Sequence, residues 1–220
     1  ILKHQDRIII KSIFSHLVAS DDVRFDDFTR QQIATFHQLA NQIMNSFNYP
    51  IMKHIANSAA IVLHPEAQMD MVRLGIGLYG IAANEDRQTE LQVVSSLYTI
   101  ISQIKHIQPG ESVGYNRTFV ADRSMRIATL PIGYADGYNR RFGNGVGKVK
   151  IANQLLPVIG NVCMDMCMVD LGEVEAQEGD EVCIFGQNPD LTTLAQSIGT
   201  IPYELLTSVS SRVKRIYVQE

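Results

Sequence analysis

Ile8-Ile9-Ile10-Lys11-Ser12-Ile13-Phe14 is a short apolar run rich in β-branched residues, and such a run reads as a buried strand. The segments after this strand decide the fold. From Asp26 to Phe47 the apolar residues Phe28, Phe36, Leu39, Ala40, Ile43 and Phe47 fall on one stripe at helical spacing, with Asp26 placed as a cap. Pro50 marks a turn, Ile51 to Ile55 is a second strand, Glu66 to Asp70 a short helical stretch, and Val72 to Leu78 a third strand. Strands separated by helices imply a parallel sheet, because a parallel crossover needs a long connection. Parallel sheets are normally buried on both faces, and so few helices do not cover three strands. This half, residues 1 to 88, is expected to be an incomplete barrel or one that another chain completes.

Outward from it, from about Leu91, the pattern changes. Strand-like segments run over Leu91–Ile107, Arg126–Ile132, Lys148–Ile151, Leu155–Ile159, Cys167–Leu171, Val182–Phe185 and Val213–Val218. Gly and Pro punctuate them closely, from Pro109-Gly110 to Gly186, and a single short helix spans about Leu191–Ile198. That spacing predicts an antiparallel barrel or sandwich over residues 89 to 220. The fold class is therefore α/β plus all-β.

Composition narrows the partners. Of 220 residues 45% are hydrophobic, enough for a real core in each half, and the net charge of −4 comes from interspersed acids and bases. No basic block suits a nucleic acid, and no apolar run approaches the ~20 residues of a membrane span. Three cysteines, Cys163, Cys167 and Cys183, form neither a CxxC pair nor a disulfide framework. No metal site and a reducing cytoplasm are expected.

Several residues stand out as possible carriers of chemistry. Ser58, in His54-Ile55-Ala56-Asn57-Ser58-Ala59-Ala60, sits among small residues just past a strand, which suits an anion; an ordinary Asn-Ser helix cap is the alternative. Arg73 interrupts an apolar strand and needs a partner, since an unpaired buried charge is costly; membership of a buried ion pair is the alternative to a ligand contact. Gly75 and Gly77 beside it suit either close approach of a ligand or a bulge. His16, after the first strand, reads by itself as a hydrogen-bonded core residue ahead of a catalyst. Tyr115 lies in a turn, and Tyr134 in a Gly-rich loop after a strand. Met164 belongs to a sulfur-rich stretch whose plain reading is adaptable packing. Tyr203 and Glu204 read as a surface turn after Pro202.

Taken together, these segments resemble the alanine racemase family. The matching strings are FSHLVASDD (14–22), HIANSAA (54–60), DMVRLGIGLYG (70–80), VGYNRTF (113–119), LPIGYADGY (130–138), IGNVCMDMCMVD (159–170), GTIPYE (199–204) and SSRVKRIYV (210–218), in family order. The resemblance implies the C-terminal part of a (β/α)8 barrel, its last three strands, followed by a β-barrel-like domain. Active sites of such barrels lie at the C-terminal strand ends. It implies pyridoxal 5'-phosphate as cofactor, alanine as substrate, and a head-to-tail homodimer in which the β domain of one chain completes its partner's site.

By the same resemblance, Ser58, Gly75, Ile76 and Tyr203 hold the cofactor phosphate and Arg73 hydrogen-bonds the pyridine nitrogen. His54 and His16 orient Arg73 and the catalytic tyrosine. Tyr115 is the base on one face of the substrate, Met164 meets the substrate carboxylate through its amide, and Tyr134 lies near the entrance. Racemisation needs two bases about the α-carbon. The second, in this family, is the cofactor lysine in a lysine-alanine-x-alanine-tyrosine-glycine context. None of the seven lysines, Lys3, Lys11, Lys53, Lys105, Lys148, Lys150 and Lys214, has that context. With a start at Ile1, the chain is expected to be a fragment that is inactive alone. A racemase for another amino acid such as serine, and a non-catalytic dimerisation module, are the other readings.

Overall fold

The computed structural model describes residues 7–82 and 85–218. The chain divides between Val94 and Ser95 into two compact units.

In the first unit β1 (Ser12–Phe14) and β2 (Met52–His54) pair in parallel, Ser12 opposite Met52 and Phe14 opposite His54. The crossover between them is α1 (Asp26–Met44). Asp26 is already the first helical residue. Asp22 does the capping one turn earlier, accepting from the Arg24 amide at 3.0 Å. Helix α1 buries Thr29, Ile33, Phe36 and Ala40 against Leu17, Ile55, Ala56 and Ala60. Phe28, Leu39 and Ile43 belong to the expected stripe but stay exposed, and with Ile13 and Phe14 they line an open apolar groove of about 550 Å3.

Two expected strands fall short here. Ile8 and Ile9 are exposed and only Ser12–Phe14 pairs, because β2 offers a three-residue ladder. Val72–Leu78 is not a strand. It runs beside β2, with the Asp70 amide donating to Lys53 O (3.1 Å) and the Arg73 amide to Ala56 O (3.0 Å). The Asp70 side chain takes the Lys53 amide at 2.7 Å, where a ladder would need a backbone carbonyl. Gly75 then turns the chain into a 3-10 turn, Ile76–Tyr79. The helix between β2 and that segment is α2 (Ser58–Leu63), capped by Asn57 Oδ1 on the Ala60 amide at 3.0 Å. The expected helical stretch at Glu66–Asp70 is a single 3-10 turn, Pro65–Ala67.

The second unit holds β3 (Leu97–Ile100), β4 (Gln103–Ile107), β5 (Ser112–Val113), β6 (Phe119–Val120), β7 (Met125–Leu130), β8 (Lys148–Ile151), β9 (Gln154–Ile159), β10 (Cys167–Asp170) and β11 (Glu181–Phe185). Seven form one antiparallel sheet in the order β3-β11-β8-β9-β10-β7-β4, and β5 and β6 make a separate hairpin. β3 and β4 are consecutive in sequence yet stand at opposite edges. The Cα atoms of Ile100 and Gln103 lie at most ~11 Å apart at 3.8 Å per residue, so the sheet must curl until its edges nearly meet. The handover is visible in the backbone. The Ile101 amide donates to Asp180 O and the Ser102 amide to Thr129 O, each at 2.9 Å. The expected single strand over 91–107 is thus two strands serving two edges.

Alternate residues such as Val149 and Ile151, and Val182 and Ile184, are buried in the core. Helix α3 (Leu191–Ser197) is capped by Asp190 on the Thr193 amide. The Tyr203-Glu204 turn is in fact the start of α4 (Pro202–Ser208), with Pro202 in its favoured first-turn place. The expected strand at Val213–Val218 does not form; Ile216, Tyr217 and Val218 are exposed and pair with no sheet edge among the described residues. No described helix is long and apolar enough to cross a membrane.

Candidate active site

In the first unit the chemistry gathers at the C-terminal ends of β1 and β2. Arg73 reaches across both. One terminal nitrogen meets His54 Nδ1 at 2.7 Å; the other donates to Ser15 O at 2.7 Å and Ile55 O at 3.3 Å, and lies 3.4 Å from His16 Nδ1. The guanidinium also lies 5.2 Å from the Phe14 ring centre, and Phe14 stacks on His54. Among the described residues no carboxylate pairs with Arg73, so the expected ion-pair alternative gives way to neutral acceptors. A guanidinium only donates. The buried His54 must therefore present a bare Nδ1, which leaves the proton of its neutral ring on Nε2.

His54 is 6% exposed. Burial, and then the charge of Arg73, hold its pKa below that of a free imidazole. The unfolded chain protonates His54 as pH falls through ~6.5, while the native ring stays neutral, so the unfolded state binds more protons. Stability is then full above the unfolded value and declines as pH falls toward the native one, by at most ~1.4 kcal/mol per pH unit. Urea unfolding of the chain between pH 5 and 8 is expected to show this slope. His54→Gln, which keeps an acceptor for Arg73, should flatten it; an unchanged slope in that variant would exclude His54 as its source.

Ser58 lies beside Arg73's segment. Its hydroxyl oxygen accepts from the Gly75 amide at 2.8 Å and the Gly77 amide at 3.3 Å, so its own proton remains free to donate. A Cβ at Gly75 would stand 3.6 Å from that oxygen, and one at Gly77 only 2.9 Å from the Leu74 side chain. The Ile76 side chain is buried, while its amide, at the start of the 3-10 turn, faces no acceptor among the described residues. The loop is anchored by Asn57, which also accepts from Ser20 Oγ (2.9 Å) and donates to Leu17 O (3.3 Å).

In the second unit Tyr115 and Met164 line one cavity of about 380 Å3, with Cys163, Asp165 and Met166. Tyr115 opens a 3-10 turn between β5 and β6 and is 71% exposed. Asn116 and Arg117 after it both have left-handed backbones, φ 61° and 51°. Tyr134 sits next door through the backbone. Its amide donates to Cys163 O and that of Ala135 to Met164 O, each at 3.0 Å. A Cβ at Gly133 would stand 2.3 Å from Cys163 O, which is why that position is glycine. The Met164 amide donates to no acceptor among the described residues. Tyr203, in the first turn of α4, is exposed and belongs to the second unit, whereas Ser58, Gly75 and Ile76 belong to the first.

Two family models match this chain, alanine racemase N-terminal domain over residues 1–83 and alanine racemase C-terminal domain over residues 94–217. The chain belongs to the alanine racemase family. Among its relatives, the alanine racemase of Treponema denticola is 39% identical over 227 residues, covering 98% of this chain and 59% of its own length. The structure of alanine racemase from Clostridium difficile 630 in complex with cycloserine matches with a TM-score of 0.87 and 33% identity, over 96% of this chain and 57% of that one. Alanine racemase from Bartonella henselae with covalently bound pyridoxal phosphate matches with a TM-score of 0.84 and 34% identity, over 95% and 57%. The chain spans less than three fifths of the length of these alanine racemases.

Three residues of the family strings have a role that the sequence pattern does not mark. Arg212 bridges Asp136, at 2.7 Å, and Asp165, at 2.6 Å, tying the Tyr134 loop to the Met164 loop. Burial works against the Asp136 carboxylate, but the Arg212 bond and the Gly133 amide outweigh it and hold its pKa below the usual range. The signal is present as opposite charges in three separate motifs, yet nothing in their spacing says that they meet. Burial, and then the nearby Cys163, push the pKa of Cys167 up to about 12. Among the described residues no cluster of three or more His, Cys, Asp or Glu is able to hold a metal ion.

Proposed function

We propose that the chain supplies the cofactor-phosphate, ring-nitrogen and tyrosine parts of a pyridoxal-phosphate-dependent alanine racemase, with a second copy completing each site. The observation that carries this is Arg73: a cation held only by neutral acceptors is unspent charge on the segment whose Gly75 and Gly77 amides meet Ser58, a hydroxyl still free to donate. The residues fit the group. Ser58 and the Ile76 amide would donate to the phosphate, with Gly75 leaving room for it and Tyr203 adding its phenol. Arg73 would face the pyridine nitrogen, backed by His54, and as an obligate donor it requires that nitrogen to be unprotonated. When bound, pyridoxal phosphate acidifies the α-proton of an amino acid by delocalising the charge left behind.

The remaining work falls to this chain's residues. Tyr115 moves the proton on one face of the α-carbon, assisted by the donors His16 and Arg73. The Met164 amide holds the substrate carboxylate and Tyr134 borders the approach. Residues 1 to 88 thus carry the cofactor contacts other than Tyr203, and 89 to 220 carry Tyr203 and the catalytic Tyr115. The relatives with bound pyridoxal phosphate and with cycloserine support the cofactor and the amino-acid substrate class.

The test uses the lysines. Pyridoxal phosphate is incubated with the 220-residue chain, reduced with borohydride, and the peptides are weighed. No one of the seven lysines is expected to carry a stoichiometric pyridoxyl group, while non-covalent binding is lost in Ser58→Ala and Arg73→Ala. A uniquely labelled lysine, or binding indifferent to both substitutions, would overturn this assignment of the site.

A further inference from the structure

Tyr115 has little to hold it from its own side chain. The ring is 71% exposed, and its hydroxyl has no hydrogen-bond partner among the described residues. The phenol's direction is therefore inherited from the backbone of its turn. That backbone is unusual, with Gly114 at φ +77° and two successive left-handed residues, Asn116 and Arg117. Such conformations persist only where the surroundings over-determine them.

The surroundings here converge on Asn161. It is 7% exposed, and its Nδ2 donates to the carbonyl of Tyr115 at 3.0 Å. Its Oδ1 accepts from Asn144 Nδ2 at 3.1 Å. The orientation of both amides is forced, because a backbone carbonyl only accepts, so nitrogen must face Tyr115 and the oxygen is left for Asn144. The Asn144 loop is itself pinned, its amide donating to Gly160 O at 2.8 Å and that of Gly145 to Val158 O at 2.7 Å. Close packing seals the arrangement. A Cβ at Gly160 would stand 2.8 Å from Val113 O, and one at Gly143 2.7 Å from Gly160 O. Asn161 also lies three residues before Met164, on the segment that shares the cavity with Tyr115.

We propose that Asn161 is the positioning residue for Tyr115, with Asn144 locking its amide, so that one buried side chain sets the distance between the proton-carrying phenol and the Met164 loop. This rests on the reading of Tyr115 as proton carrier, and the test separates the two. Asn161→Asp keeps the size and the acceptor for Asn144 but, once ionised, turns the donor toward Tyr115 into a second acceptor. Asn144→Ala is the milder variant, leaving Asn161 in place without its lock.

In the full-length protein 3-fluorotyrosine is placed at position 115, or at 134 as a control, and the 19F spectrum is recorded. Both variants are expected to shift or split the signal at 115 and leave that at 134 unchanged. In turnover, kcat should fall about 10–10²-fold, the scale of a displaced catalytic group, with KM nearly unchanged. Solvent deuterium exchange should slow for the enantiomer whose proton Tyr115 carries and not for the other. A 115 signal identical to wild type in both variants overturns the proposal, as does equal slowing of both enantiomers, which marks a merely structural role. Tyr115→Phe that slows neither enantiomer removes the proton-carrier reading instead, and the 19F result then still decides whether Asn161 holds the turn.

Discussion

Tyr115→Phe in the full-length protein is expected to cut racemisation by about 10²–10⁴-fold, the usual contribution of a general acid–base group, while leaving the fold intact. The second half of that expectation rests on geometry. The phenol is mostly exposed and its hydroxyl bonds to nothing among the described residues, so deleting the oxygen strands no buried partner. Surface changes of that kind stay within about 0.5 kcal/mol. The turn that carries the ring is set by backbone and by Asn161, neither of which the substitution touches. An unchanged unfolding midpoint together with the kinetic loss separates chemistry from stability. Exchange of solvent deuterium into both enantiomers at wild-type rates would take Tyr115 out of the mechanism.

The architecture is legible in the sequence where periodicity and burial agree. Strand, long amphipathic helix, strand comes through because Phe36 and Ala40 of the expected stripe face Leu17 and Ile55, although Phe28, Leu39 and Ile43 of that stripe stay exposed and the buried Ile33 is not among its expected members. The short-spaced strands of the second unit are legible for the same reason, since Val149 and Ile151 or Val182 and Ile184 alternate inward. Failures fall where apolar sequence lacks a hydrogen-bonding neighbour. Val72–Leu78 alternates well, but Asp70 takes a ladder amide and Gly75 turns the chain. Val213–Val218 is strand-like in composition and pairs with nothing described. Ile101-Ser102 is a change of sheet edge inside one continuous strand-like segment, which a local pattern does not encode.

The site is legible in a different way. Spacing alone leaves Ser58 an ordinary cap, Arg73 an ion-pair member and Met164 a packing residue; the family strings raise them together. The geometry then decides what strings do not, that Arg73 has neutral partners and that Ser58 already accepts two amides. Asn161 and Arg212 stay hidden because their work is long-range, with partners 46 and 76 positions away.

Arg73→Glu tests the electrostatic core of the proposed site. In the native arrangement the guanidinium donates to His54 Nδ1, Ser15 O and Ile55 O. A carboxylate there faces two carbonyl oxygens that only accept, so a stability loss of roughly 1.5–3 kcal/mol is expected, the scale of hydrogen bonds to a charged group. His54 softens this by moving its proton to Nδ1 and donating to the new acid. The chemical effect is separate. On the proposed reading Arg73 would hold the pyridine nitrogen as an acceptor, whereas Glu at the same position would favour a protonated nitrogen and so strengthen the electron withdrawal that pyridoxal phosphate would supply. Racemisation should fall by about 10²–10³-fold, the cost of removing a well-placed electrostatic group, and the share of turnovers ending in transamination should rise. Chiral analysis of alanine and an assay for the keto acid measure both on one sample. Arg73→Gln controls for the fold: it still offers a donor and should shift the partition far less. A folded, cofactor-loaded Arg73→Glu protein with the wild-type ratio of racemisation to transamination would show that Arg73 only ties β1 to β2.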